Sequence, residues 1–433
     1  MSWKVEYSDK LTTADKALDL IKSNERVVVG HAVGEPSYLL DVMVSKRKQY
    51  ENVEIVHMVA MGKCDYCAEG MEKHFRHNAL FVGTGTRKAV EAGRGDFTPC
   101  FFYEIPSLFK SGILPVDVAL IQVTPPDQEG YVNLGVSVDY TLPASKAAKK
   151  VIAQVNNQMP RVYGDCKLHV SEITAFVEHN SPIIELRPHK IGEIEKAIGE
   201  NCAKLIKDGD TLQLGIGAIP DAVLLFLKDK KNLGIHSEMF SDGVVELVKA
   251  GVINNSKKTL KAGKFVASFL MGTKKLYDFV DNNPDVELYP VDYVNHPVII
   301  MTNDNMVSIN SCVQVDLMGQ VASESVGLKQ ISGTGGQVDF VRGATMAKGG
   351  KSIIAIPSTA ANGTISKIVP FLDEGAAVTT CRNDIDYIVT EYGIAHLKGK
   401  TLKDRARALI HISHPDFAPE LIKTYEDRFH CKF

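Results

Sequence analysis

Glu238 has the most reactive surroundings of any side chain in the sequence. It stands in Gly234-Ile235-His236-Ser237-Glu238-Met239-Phe240-Ser241-Asp242, after a short apolar strand expected over 233–236. Upstream, Leu212 to Leu214 reads as another short strand and runs into Gly215-Ile216-Gly217-Ala218-Ile219-Pro220. Two glycines allow a tight turn there and let ligand atoms approach bare backbone N–H groups. Pro220 presets φ for a helix start, and Asp221 adds negative charge to its first turn. Ligands of open α/β sheets bind outside the carboxyl ends of the strands. A carboxylate and a turn of amide donors are therefore expected at one edge. An acid after a strand is commonly a solvated loop residue, but this placement turns the reading toward chemistry. The carboxylate can attack an acyl carbon while the amides stabilise the oxyanion, or it can act as a general base.

A second glycine turn, Ser332-Gly-Thr-Gly-Gly-Gln337, precedes ordered patterning at Val338, and Gly335 or Gly336 is a candidate lining residue. Asn310, in Ser308-Ile-Asn-Ser311, can orient a carboxylate through its amide or serve as a strand-end asparagine. His31 and His57 fall near expected strand ends, where local packing competes with ligand contact. Cys64-x-x-Cys67 has no second Cys/His pair at zinc spacing, so unpaired thiols are expected rather than a metal or redox pair. The Gly215–Gly217 turn lacks the third glycine of a dinucleotide fingerprint.

Strands alternating with helical segments position these residues. Arg26 to Val29, Val53 to Val56, Val116 to Val123 and Val151 to Val155 read as strands, with another expected near Phe81-Val82. The second half repeats the plan. "IKSNERVVVG" (21–30) is echoed by "IKDGDTLQLG" (206–215), and "ENVEIVHM" (51–58) by "KNLGIHSEM" (231–239). "DQEGYV" (127–132) is echoed by "DLMGQV" (316–321), and the stretch 138–155 by 338–356. Four echoes in the same order imply two similar, open, mainly parallel-sheet α/β domains related by internal duplication. The expected division is 1–185 and 186–433, at the Pro- and charge-rich "EHNSPIIELRPHK". In the echo, Glu238 falls against Met58 or its neighbours, so only the second copy carries the acid.

The 433 residues can form two sizeable cores. A net charge of −3 gives no support for nucleic-acid or membrane attraction, and no apolar run reaches membrane-spanning length. Eight scattered cysteines suit reduced thiols in a cytoplasm.

Longer stretches carry a resemblance. "LQLGIGAIPDAVLLFLKDKKNLGIHSEMFSDGVVEL", "ISGTGGQVDFVRGA", "GTISKIVPFL" and "VTEYGIAHLKGKTLKDRARALI" closely resemble the acetyl-CoA hydrolase/transferase group of coenzyme A transferases. The likeness extends over the chain, through "HMVAMGK" (57–63) and "FFYEIPSL" (101–108). It implies a two-domain enzyme that holds coenzyme A mainly with its C-terminal half. By the same resemblance Glu238 is the catalytic glutamate, and Gly215, Ile216, Gly217, Ala218 and Ile219 form the coenzyme A turn. Gly335 and Gly336 inherit a coenzyme A or oxyanion role, and Asn310 matches more loosely. The implied reaction moves coenzyme A from acetyl-CoA to a short-chain carboxylate through a glutamyl-CoA thioester. 4-Hydroxybutyrate is the expected acid; butyryl-CoA:acetate transfer and acetyl-CoA hydrolysis are the alternatives. Coenzyme A is then substrate, with no permanently bound cofactor or metal, and a homodimer or homotetramer is expected. His31 and His57 of the first domain are candidate partners for a substrate hydroxyl. A non-catalytic binding module is disfavoured by the two glycine turns with Glu238, and sugar-phosphate isomerisation by the lack of a basic phosphate-binding cluster.

Overall fold

The computed structural model describes residues 2–433. It comprises two compact units, one of Met1–Arg187 with Val266–Val294, the other of Pro188–Phe265 with Asn295–Phe433. A single cut near residue 185 does not describe this division, because Val266–Val294 returns to the first unit. Backbone bonds hold it there: Val138 N–H donates to Ser268 O (3.1 Å) and Leu270 N–H to Val136 O (2.8 Å).

The first unit is built on seven strands: Arg26–Val29 (β1), Val53–His57 (β2), Phe75–Ala79 (β3), Gly95–Phe97 (β4), Val118–Val123 (β5), Lys150–Val155 (β6) and Ala175–Glu178 (β7). They pair in parallel in the order β7-β6-β5-β1-β2-β3-β4. Every residue of β5 is buried, as an apolar run covered on both faces must be. Helix α1, Ser37–Ser45, buries Leu39, Leu40 and Met43, each worth roughly 1.5–3 kcal/mol. The strand expected near Phe81-Val82 is instead β3, a few residues earlier. Its sequence, Phe-Arg-His-Asn-Ala, is mostly polar, yet Phe75, His77, Asn78 and Ala79 are buried while Arg76 points out to Asp96. Polar side chains facing inward hid this strand from a reading based on apolar runs.

The main sheet of the second unit has six strands: Thr211–Leu214 (β8), Gly234–Ile235 (β9), Met306–Ser311 (β10), Lys351–Ala355 (β11), Tyr387–Thr390 (β12) and Gly393–His396 (β13). Their order is β9-β8-β10-β11-β12-β13, parallel except for the closing β12–β13 hairpin. Matching strands stand in the same spatial sequence in both units: β7-β6-β5-β1-β2 in one, β12-β11-β10-β8-β9 in the other. The duplication extends to single hydrogen bonds. Asp127 Oδ1 accepts from the N–H groups of Glu129 and Tyr131. Asp316 Oδ1 accepts likewise from Met318 and Gln320. Both turns then pass through a left-handed glycine, Gly130 (φ 86°) and Gly319 (φ 82°).

Helix α2, Glu193–Ala203, lies against helix α3, Ala218–Leu225, which opens just after the Gly215–Gly217 turn. Gly199 makes that approach possible. A Cβ there would stand 2.8 Å from the carbonyl carbon of Ala222 and 3.0 Å from Val223 N. Backbone cannot step aside as a side-chain tip can. Gly199→Ala should therefore cost about 1–3 kcal/mol, seen as a lower urea midpoint with an unchanged slope.

Candidate active site

Glu238 is set by the pairing of β9 with β8. Ile235 lies opposite Leu212 in the parallel ladder, and His236 N–H donates to Leu212 O (3.2 Å). Ser237 continues the tie: its Oγ lies 3.4 Å from both the N–H and the carbonyl of Leu214, and donates to Met239 O at 2.5 Å. The next residue, Glu238, is partly buried. Its Oε2 accepts a hydrogen bond from Asn295 Nδ2 (2.9 Å). Asn295 is fully buried, and the same nitrogen lies 3.4 Å from Asp339 Oδ2. Two acidic neighbours fix which end of the amide is nitrogen, since only the NH2 group can donate to both.

The second glycine turn closes on this pair. Gly335 adopts φ 54°, and Gly336 precedes helix α4, Gln337–Met346. A Cβ on Gly336 would overlap Glu238 Oε2 and Asn295 Nδ2. Asp339 is one turn into α4 and buried, so one helix start supplies both the bare Cα and the acid that orients the amide.

The first glycine turn leaves β8 at the same carboxyl edge. Gly215 N–H lies 3.4 Å from Ile309 O and continues the ladder, so the sheet has already claimed that donor. Gly217 (φ 121°) turns the chain into α3, and Asp221 N–H closes the first helical turn on Gly217 O (3.2 Å). A helix start leaves its first N–H groups without intrahelical partners, here those of Gly217, Ala218 and Ile219. Pro220 has no N–H and fills its place in that turn without loss. Ile216, at the tip, is 46% exposed.

Asn310 is engaged elsewhere. It exchanges two amide bonds with Gln213 across β8 and β10, at 3.1 and 3.2 Å. The amide beside Glu238 is Asn295, which the sequence reading did not single out. Its only local signal is Asn-His-Pro, which marks the short helix Pro297–Ile300 and carries no chemistry of its own.

His31 and His57 belong to the first unit, and both are buried. His31 Nδ1 lies 3.2 Å from Asp139 Oδ2, and Asp139 is also held by Ser137 Oγ (2.7 Å). His57 Nδ1 bonds Tyr66 Oη (3.1 Å), and its Nε2 stands 3.9 Å from Glu35 Oε2. Burial lowers the His57 pKa well below its ordinary value, with His77 and His31 adding to the effect, and raises that of Glu35. Both shifts favour neutral forms, so the 3.9 Å approach is not an ion pair. Cys64 and Cys67 are buried free thiols, pushed up to about 12 and about 11 by burial. Among the described residues no cluster of three or more His, Cys, Asp or Glu side chains is placed to hold a metal ion.

A duplicated α/β chain with a carboxylate, a buried amide and two glycine turns at one sheet edge defines a candidate acyl-transfer enzyme. Comparison with known proteins gives the family. The acetyl-CoA hydrolase/transferase N-terminal domain matches residues 1–187, and the corresponding C-terminal domain matches 272–425. The chain belongs to the acetyl-CoA hydrolase/transferase family. It is 68% identical over 429 residues to a 4-hydroxybutyrate coenzyme A transferase of Clostridium kluyveri, covering 99% of this chain and 100% of that one. It is 46% identical to a succinyl-CoA:cyclohexane-1-carboxylate CoA transferase of Geobacter metallireducens, over 97% and 96% of the two chains. The crystal structure of 4-hydroxybutyrate CoA-transferase from Porphyromonas gingivalis superposes with a TM-score of 0.86 at 46% identity, covering 99% and 100%.

Gly336→Ala should lower kcat about 100-fold, the scale of a 1 Å displacement at a reacting group, with thermal stability affected far less than activity. The buried histidines set a pH limit. Burial pushes His77 down to about 4, whereas an unfolded chain protonates near 6.5. The unfolded state then binds more protons between those values. Stability is full above pH 6.5 and falls as the pH drops toward 4. Urea midpoints measured from pH 7 to 4.5 should decline, and His77→Gln should flatten the decline.

Proposed function

We propose that the chain transfers coenzyme A from acetyl-CoA to 4-hydroxybutyrate, with Glu238 as the covalent carrier. The supporting observation is the Glu238 carboxylate hydrogen-bonded by buried Asn295 against the bare Cα of Gly336. A neutral donor fixes the carboxylate without neutralising it, as a nucleophile requires. A Glu238 oxygen attacks the thioester carbonyl and expels the coenzyme A thiolate, leaving an acyl-glutamyl anhydride. The first-turn amides of α3 and those of Gly335 and Gly336 stabilise the oxyanion. The thiolate attacks the glutamyl carbonyl and releases the carboxylate product, leaving a glutamyl-CoA thioester. The incoming acid attacks that carbonyl and expels the thiolate, which then attacks the new acyl carbonyl and frees Glu238.

Coenzyme A itself is the carried group, so the scheme requires no permanently bound cofactor. The second unit supplies its principal contacts, including Ile216 to Ile219. The acid is assigned by likeness to the relative from Clostridium kluyveri. The Gln213–Asn310 pair supports the floor of β8 and β10. We place the reaction in the cytoplasm and in a homodimer or homotetramer.

Glu238→Ala should abolish transfer, and borohydride should inactivate wild-type enzyme pre-incubated with acetyl-CoA by reducing the Glu238 thioester. Full turnover by the variant, or no mass change at Glu238, would exclude the covalent role. Among 4-hydroxybutyrate, butyrate and succinate, 4-hydroxybutyrate should give the highest kcat/KM with acetyl-CoA. Acetyl-CoA loss that is equally fast without any added acid would assign hydrolysis instead.

A further inference from the structure

The middle of the second unit's sheet edge holds a lysine that the reaction scheme leaves unused. Lys367 is anchored by its backbone: its N–H donates to Ser358 O (2.9 Å) and its carbonyl accepts from Val315 N–H (2.9 Å). Two groups near its side chain come from strand ends: Cys312 follows β10 and Glu391 follows β12, while Ser358, just beyond β11, meets the Lys367 backbone. Glu391 is committed to Ser358, whose N–H donates to Oε2 (2.9 Å) and whose hydroxyl donates to Oε1 (2.6 Å). Cys312 is buried and its thiol is pushed up to about 12, so it remains neutral.

Lys367 is half-buried, and its ammonium makes no hydrogen bond or ion pair with any described residue. Burial lowers its pKa, with Cys312 and Glu391 opposing the shift. A half-buried cation without a hydrogen-bonded counter-charge is costly, and an arriving anion removes that cost. The location is the ligand edge of the sheet, shared with Glu238. β11 is the third strand from β9, which at about 4.8 Å per strand is about 14 Å. A pantetheine arm bridges a distance of that order between thioester carbon and diphosphate.

We propose that Lys367 binds a phosphate of coenzyme A while the thioester carbon is at Glu238. The inference rests on the transferase reading above. A phosphate oxygen accepts a charge-assisted hydrogen bond from Nζ, and Ser358 keeps the Glu391 carboxylate turned away from that bond.

The test compares acetyl-CoA, acetyl-dephospho-CoA and acetyl-pantetheine as donors to full-length enzyme, reading kcat/KM from initial slopes. Lys367→Met should lower kcat/KM for acetyl-CoA about 10- to 100-fold and leave that for acetyl-pantetheine and the carboxylate KM unchanged. Lys367→Arg should keep most of the preference for the phosphorylated donor. Lys367→Gln repeats the comparison with a polar neutral side chain should Met impair folding. Loss on acetyl-dephospho-CoA as well assigns the diphosphate; loss on acetyl-CoA alone assigns the 3′-phosphate. Equal loss on all three donors, or on none, overturns the proposal. Failure of the wild type to transfer from acetyl-CoA would instead sink the transferase reading.

Discussion

One hydrogen bond organises the second unit: Asn295 Nδ2 to Glu238 Oε2, at 2.9 Å. A buried amide can hold a carboxylate only if its own orientation is fixed, because an amide flip would turn an oxygen toward an oxygen. Asp339 supplies that fix from the first turn of α4. The carboxylate and amide can lie together against the helix start only because Gly336 has no side chain. Three distant stretches of sequence therefore meet at one point, and the sheet sets where. Ser237 and His236 tie the Glu238 segment to β8, and α4 leads directly into β11.

The two copies show how one framework divides its labour. Their Asp-turn-Gly corners agree bond for bond, and their central strands keep one order. In the first copy Met58, the counterpart of the Glu238 region, uses its N–H to donate to Tyr140 Oη (3.2 Å). The surrounding space is filled by His31 with Asp139 and His57 with Tyr66. These buried, hydrogen-bonded side chains make that edge a packed interior. In the second copy the same position presents a carboxylate.

Much of this was legible because it rests on periodicity and on residues with restricted conformations. Apolar runs located β1, β2, β5, β6 and β8, and the repeated order exposed the duplication. Gly217 and Gly335 occupy left-handed or otherwise glycine-favouring backbone, which is why their turns stood out in sequence. What escaped had no periodic trace. β3 is polar, and it is set between β2 and β4 with Tyr66 packed against His77. Asn295 acquires its role only from Glu238 and Asp339, 57 and 44 residues away. Asn310 has the composition of a site residue, yet Gln213 occupies both ends of its amide. Pairing across such separations is set by topology, and a local window contains no record of it.

The buried cysteines matter for a chain whose family acts on coenzyme A thioesters. Cys64, Cys166, Cys202 and Cys312 are held protonated by burial, with values pushed up to about 11 or 12. Thiolate is the form that enters disulfide exchange. The chain thus keeps these four thiols chemically silent. Oxidised coenzyme A meets no ready nucleophile at these positions, and the sulfur that reacts is the one the substrate brings.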